Sequence, residues 1–420
     1  MAREMKNSGV RWIGDIPSSW NIHPLGLFFS ERVHLNSMNL ESNLLSLSYG
    51  KIIKKNINTV GGLLPASYAG YNIIEADDIV IRPTDLQNDK KSLRTGLAKE
   101  HGIVTSAYIA LKPSNIIYSP YFHYLLHSYD VAKVFYNMGN GVRQGLNYSE
   151  LKKLLLIEPP LPEQKVIADF LDAKCGEIDG LLADLDAEVK TLTEYKKSII
   201  AETVTRGLNP NAPMKSSGIP WVGEIPKHWQ LHPVYYYYTQ RVHKNIFGDE
   251  QNLLSLSYGK IIRKDINSIG GLIPASYNTY NIVEKNDIII RPTDLQNDKR
   301  SLRTGLVTEH GIITSAYIAL KPSSGVYSPF FHYLLHSYDV KKVFYNMGDG
   351  VRQGLNYSEF SRLMLIEPPI DEQIEIANYL DSKCAAIDQA ITDKTQQIET
   401  LKAYKSSLIY EYVTGKKQVL

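Results

Sequence analysis

The chain of 420 residues carries an internal repeat that fixes most of its architecture. Trp12 matches Trp221, NLLSLSYGKII at 43–53 recurs at 252–262, RPTDLQNDK at 82–90 recurs at 291–299, and GVRQGLNYSE at 141–150 recurs at 350–359. Every match is displaced by 209 positions, and the register holds through Val204 and Val413 with no evident insertion or deletion. That period is far longer than the roughly 20–50 residues of a solenoid unit. It predicts a duplicated domain, so that whatever the first half folds into, the second half repeats.

Each half closes with the longest uninterrupted helical pattern in the chain, from Glu163 to about Thr205 and from Glu372 to about Thr414. Ile178, Leu182, Leu185, Val189, Leu192 and Ile199 form a narrow apolar stripe in the first copy, with Tyr195 beside it. Ile387, Ile391, Ile398, Leu401, Tyr404 and Leu408 repeat it in the second, broken only at Lys394. A stripe this narrow reads as a coiled-coil seam rather than a broad core face. At about 1.5 Å per residue, some 40 helical residues span roughly 60 Å, longer than a small domain needs for its core. The pair therefore reads as spacers.

About 160 residues precede each rod. Short apolar runs such as 78–81 and 106–111, bounded by Gly, Pro, Asn and Asp, read as strands. Ser119-Pro120 reads as N-cap and N1 of a helix whose buried stripe is Phe122, Leu125, Leu126, Tyr129 and Val134, running to Gly139. Asn147 with Glu150 three residues on gives a second N-cap signal. The mixture predicts an α+β fold with boundaries at 1–160 and 209–369 for the globular parts, and 161–208 and 370–420 for the long helices.

The formal charge of +2 becomes informative once it is divided: residues 163–205 carry −5 and residues 372–414 carry −3, which leaves +10 for the rest. Basic globular parts on acidic rods suit a chain whose globular parts meet a polyanion. The two cysteines, Cys175 and Cys384, occupy equivalent rod positions, too few for a disulfide framework and without metal-ligand spacing. With a polar N-terminus and no apolar run approaching about 18 residues, a cytoplasmic location is expected.

Catalytic motifs are hard to find. GNGVRQG at 139–145 lacks the Gly-Lys-Ser/Thr ending of a phosphate-binding loop. Glu158-Pro159-Pro160-Leu161 has leucine where an amino-methyltransferase motif places an aromatic residue. Asp85, Asp89 and Lys91 approximate a nuclease triad, yet the copy has Arg300 in place of Lys91, and arginine does not readily give up a proton. His123 and His127, repeated as His332 and His336, have helical spacing for a metal but no third ligand in view. No catalytic and no metal-binding residue is assigned.

Recognition chemistry is present. Arg82, Gln87, Asn88, Lys90, Lys91 and Arg94 gather in one loop-like stretch, copied as Arg291, Gln296, Asn297, Lys299, Arg300 and Arg303. Lys51, Lys54 and Lys55 form a second cluster, copied as Lys260, Arg263 and Lys264, and Arg143-Gln144 form a third, copied as Arg352-Gln353. Arg and Lys pair with guanine edges, Gln and Asn with adenine edges, and spare cations with phosphates. Together these clusters predict contact with double-stranded DNA.

The opening GVRWIGDIPSSW with its copy GIPWVGEIPKHW, the exit LLLIEPPLPEQKVIADFLDAKCGEID with its copy LMLIEPPIDEQIEIANYLDSKCAAID, and the domain–rod–domain–rod order resemble the specificity subunits of type I restriction–modification systems. The resemblance covers nearly the whole chain. It implies two target recognition domains, long helices pairing as an antiparallel coiled coil, and docking of two DNA adenine methyltransferase subunits together with restriction subunits. It also implies that S-adenosylmethionine, ATP and Mg are used by those partners and no cofactor by this chain, a non-catalytic reader and scaffold. Because the two candidate reading loops differ only at Lys91 and Arg300, the expected target is an interrupted palindrome. The alternative is a stand-alone DNA-binding regulator or architectural protein that dimerises through its rods.

Overall fold

The computed structural model describes residues 3–57, 67–84, 86, 93–138, 145–267, 276–293, 295, 302–347 and 354–419. Contacts divide the chain into two units, Met1–Asp186 with Gln396–Leu420, and Ala187–Thr395. Each unit therefore holds one globular part, the opening half of the long helix that follows it, and the closing half of the other long helix. This partition cuts across the boundaries read from the sequence, because the rods contribute to both units.

In the first unit a four-stranded antiparallel sheet runs in the order Phe29–Glu31, Ile109–Pro113, Ile79–Ile81, Thr95–Leu97. The strand Ile79–Ile81 is buried on both faces, which explains its unbroken apolar run. Ile79 and Ile81 join the large core that includes Trp20, Phe28, Phe122 and Leu125, whereas Val80 joins a smaller cluster with Leu45, Ile74 and Val104. The same sheet recurs in the second unit as Tyr238–Gln240, Ile318–Pro322, Ile288–Ile290 and Thr304–Leu306.

Several local expectations shift. Residues 106–108 form a turn, and the strand starts at Ile109. The helix after Tyr118 spans Ser119–Val131 and gives way to a short 3-10 turn at Val134–Asn137 instead of running on to Gly139. Ser119 is not its cap, because its hydroxyl donates to the Asp77 carbonyl at 2.6 Å. Asn147 does cap, accepting from the Glu150 amide at 3.0 Å, although the helix it starts is a single turn, Tyr148–Leu151.

The long helices span Leu161–Arg206 and Ile370–Val413. Within the first unit Phe170 packs against Tyr412 with ring centroids 4.5 Å apart and Asp179 accepts from Lys405 at 2.5 Å, so the two segments run antiparallel. Within the second unit Lys196 donates to Asp388 at 2.6 Å and Lys394 pairs with Glu188, again antiparallel. Lys394, the break in the apolar stripe, is thus matched by an acid on the facing helix. Ile178, Ile199, Ile387, Ile398 and Leu408 are buried, and Leu182, Leu185, Val189, Leu192, Ile391 and Leu401 are half-buried, as a narrow seam requires. Tyr195 and Tyr404 lie outside the seam, each more than half exposed.

The exit motif has a structural explanation. Glu163 accepts from the buried Trp20 indole at 2.9 Å and from Arg3 at 2.6 and 2.8 Å, while Gln164 receives the Tyr118 amide and donates to the Pro159 carbonyl. Trp229–Glu372 and Gln373–Pro368 repeat the joint in the second unit. The tryptophans of the opening and the Glu-Gln of the exit therefore clamp each rod to its own domain. Where the second rod ends, Gly415 adopts φ +70°, and a Cβ there would lie 2.5 Å from Pro17, so only glycine fits.

Candidate nucleic-acid interface

The first basic cluster sits on a β-hairpin. Leu45–Ser48 pairs with Lys51–Lys54 in antiparallel register, Ser48 opposite Lys51, leaving Tyr49-Gly50 as a two-residue turn. Both turn residues have positive φ, 45° and 80°, the signature of a type I′ turn. Alternation buries Leu45 and Leu47, while Lys51, Lys54 and the following Lys55 face outward. The hairpin lies on the sheet edge at Thr95–Leu97 because Gly96 leaves room for it: a Cβ on Gly96 would lie 2.6 Å from the Leu47 Cδ1 and 3.0 Å from the Ile52 Cδ1. Its tip rests beside Leu93, 3.2 Å from where a Gly50 Cβ would stand. The copy places Lys260, Arg263 and Lys264 in the same way, with Gly305 under the hairpin and Leu302 at its tip.

These cations differ in their surroundings. Lys51 bonds Asp179 of the long helix at 2.8 Å, and Asp179 also accepts from Lys405 of the other long helix. Burial works to raise the Asp179 carboxyl, but the two lysines override it and hold the carboxyl below the ordinary aspartate value. In the second unit Lys260 stands 3.8 Å from Asp388, which Lys196 also holds. A lysine of the hairpin, an aspartate of one rod and a lysine of the other therefore form the same link twice. Arg263 is exposed but engages Glu309 at 2.7 and 2.8 Å. Lys54, Lys55 and Lys264 are exposed.

The second cluster divides. Arg82 and Arg291 are half-buried at its start. Gln87, Asn88, Lys90 and Lys91, their copies Gln296, Asn297, Lys299 and Arg300, and the third cluster Arg143, Gln144, Arg352 and Gln353 lie outside the described residues, as do Asp85 and Asp89. Arg94 and Arg303, expected among the DNA contacts, are fully buried instead. The Arg94 guanidinium donates to the Thr84 carbonyl at 2.6 Å and to the Tyr136 hydroxyl at 3.2 Å, and its own amide bonds Asp130. It ties together the two ends of the 82–94 segment. A charge that is wholly withdrawn from solvent and spent on main-chain carbonyls cannot also meet a base, so these arginines brace the loop rather than read with it. Sequence alone could not reveal this, since burial is a property of the folded context.

The histidine pairs are half-buried. The Nε2 atoms of His123 and His332 are sealed from solvent, and burial lowers both imidazoles to about 3, with His127 and His336 at about 4. Among the described residues no three His, Cys, Asp or Glu side chains gather as a metal site. Cys175 and Cys384 are buried thiols, raised by that burial. The described helices include none long and apolar enough to cross a membrane.

Residues 68–190, from the middle of the first domain into its rod, match the family model described as type I restriction modification DNA specificity domain. A provisional type I restriction enzyme MjaX specificity subunit of Methanocaldococcus jannaschii is 24% identical over 97% of this chain and 96% of its own length. Over nearly its whole length the chain is similar to a type I specificity subunit. Its fold agrees: a chain from a solved structure on the complex assembly and conformational transition of the type I R-M system superposes with TM-score 0.70 at 12% identity, covering 96% of this chain and 99% of that one. The HsdS subunit of Thermoanaerobacter tengcongensis, at 13% identity, is matched over 96% of this chain and 98% of its own with TM-score 0.49.

Proposed function

We propose that this chain is the DNA sequence-recognition subunit of a cytoplasmic type I restriction–modification complex, non-catalytic in itself. It binds a bipartite, palindromic target through its two near-identical domains and scaffolds two adenine methyltransferase subunits and, with them, restriction subunits. S-adenosylmethionine, ATP and Mg belong to those partners. The observation that carries the reading is the basic hairpin seated on the sheet edge with its tip against Leu93, and Leu302 in the copy, present in each unit in the same surroundings, in a chain of which part matches a DNA specificity domain.

The reciprocal ion pairs support like half-sites. Asp179 meets Lys405 within the first unit and Asp388 meets Lys196 within the second, each pair being the other displaced by the repeat, so the two hairpins have the same neighbours in their own units. Equivalent domains in equivalent surroundings are expected to read the same bases. The test is methylome mapping of DNA from cells expressing this chain with its methyltransferase partner. Methyladenine on opposite strands of an interrupted palindrome is the expected result. An asymmetric split motif would overturn the claim of like half-sites, and the absence of any motif with an active partner would overturn the assignment and favour a stand-alone regulator.

A further inference from the structure

The tip of each recognition hairpin is built against its own turn chemistry. Type I′ turns place their first central residue at positive φ, where Asn, Asp or Gly sits without strain and a bulky aromatic residue does not. Here that position is Tyr49 at φ 45° and Tyr258 at φ 46°. Burial does not compensate, because Tyr49 is 78% exposed and Tyr258 is 82% exposed. Among the described residues neither ring has a hydrogen bond or ring partner. The tip is nevertheless held in place. Gly50 and Gly259 rest against Leu93 and Leu302, and the next residues, Lys51 and Lys260, are held toward Asp179 and Asp388. A strained, solvent-facing aromatic on an anchored turn, flanked by exposed lysines, points to a ligand outside the chain.

We infer that Tyr49 and Tyr258 are DNA-contacting residues whose rings pack against base edges in a groove of the two half-sites, an inference that rests on the proposed recognition function. The exposed cations of the same strands favour DNA over a protein partner: Lys54, Lys55 and Lys264 supply the charge that brings a polyanion to this edge. In a duplex the base faces are stacked on one another, so what a tyrosine ring can meet is the groove edge with its exposed methyl groups. The ring thus adds affinity through apolar contact.

The test exploits the strain. The double variant Tyr49→Asn/Tyr258→Asn installs the preferred Asn-Gly turn, and Tyr49→Phe/Tyr258→Phe keeps the ring. Thermal unfolding of the full chain and binding of a duplex carrying the methylated motif are measured, the latter on the chain assembled with its methyltransferase subunits. The Asn variant is expected to melt at or above the wild-type temperature yet bind about tenfold or more weakly. The Phe variant is expected to bind within about twofold of wild type. An Asn variant that binds like wild type, or that melts earlier, overturns the inference. So does one that retains DNA affinity but no longer assembles with the methyltransferase, which would make the tips a protein-docking feature. A wild-type complex that fails to prefer its motif would sink the recognition reading itself, and this inference with it.

Discussion

Single residues separate bracing from reading. Arg94 and Arg303 carry full charges with no exposed surface, so truncating Arg94 leaves the Thr84 carbonyl and the Tyr136 hydroxyl without their guanidinium donor, and truncating Arg303 does the same to Thr293 and Tyr345. Arg94→Ala is expected to lower stability by about 3 kcal/mol, and Arg94→Lys by less, measured by denaturant unfolding. Lys55 differs: it is exposed, and Lys55→Ala should leave stability within about 0.5 kcal/mol while reducing the slope of log K against log salt by about 0.9 if it neutralises one phosphate. The histidines set a pH dependence. His123, His127 and their copies have folded values near 3 to 4, below the ordinary 6.5, so the unfolded chain binds more protons between those limits. Their contribution is fully present above pH 6.5 and is lost as pH falls toward 4 and 3. Unfolding midpoints at stepped pH should decline across that window, and His123→Gln should flatten the decline. His101, raised chiefly by its bond to Glu75, acts in the opposite sense and contributes below its unfolded value, although its exposure makes the term small.

At the scale of elements, the hairpin depends on a glycine beneath it and a carboxylate beside it. Gly96→Val would drive a side chain into Leu47 and Ile52, costing about 1–3 kcal/mol and lifting the basic strand from the sheet edge. Weakened DNA binding and greater amide exchange across 45–54 are the expected readouts. Asp179→Asn, by contrast, removes two partly exposed ion pairs worth about 1 kcal/mol together, and the loss should shrink as salt is raised. The rods themselves were legible from spacing, because a stripe of apolar residues has one stable use at that width. Where the seam crosses Lys394 the sequence showed only a break, and the facing Glu188 that resolves it became visible only with the helices paired. Tyr195 and Tyr404 sit close to the stripe in sequence but are more than half exposed.

For the whole molecule, duplication makes each unit a control for the other. A substitution confined to one hairpin, such as Lys54→Ala with Lys55→Ala, should weaken methylation dependent on one half-site and leave the other domain's preference intact, as methylome mapping of the variant would show. The repeat, the α+β character, the two rods and the similarity to type I specificity subunits were all readable from residue order, because periodicity, capping and a long self-match are local or linear properties. Tertiary structure alone decided which basic residues face outward, that Arg94 and Arg303 serve the loop from inside, that Glu163 and Glu372 clamp their tryptophans, and that each compact unit borrows half of the other domain's rod. The division has a physical reason. Residue order fixes what each segment prefers to become, whereas solvent exposure and charge partnership arise between segments far apart in the chain and exist only once those segments are packed.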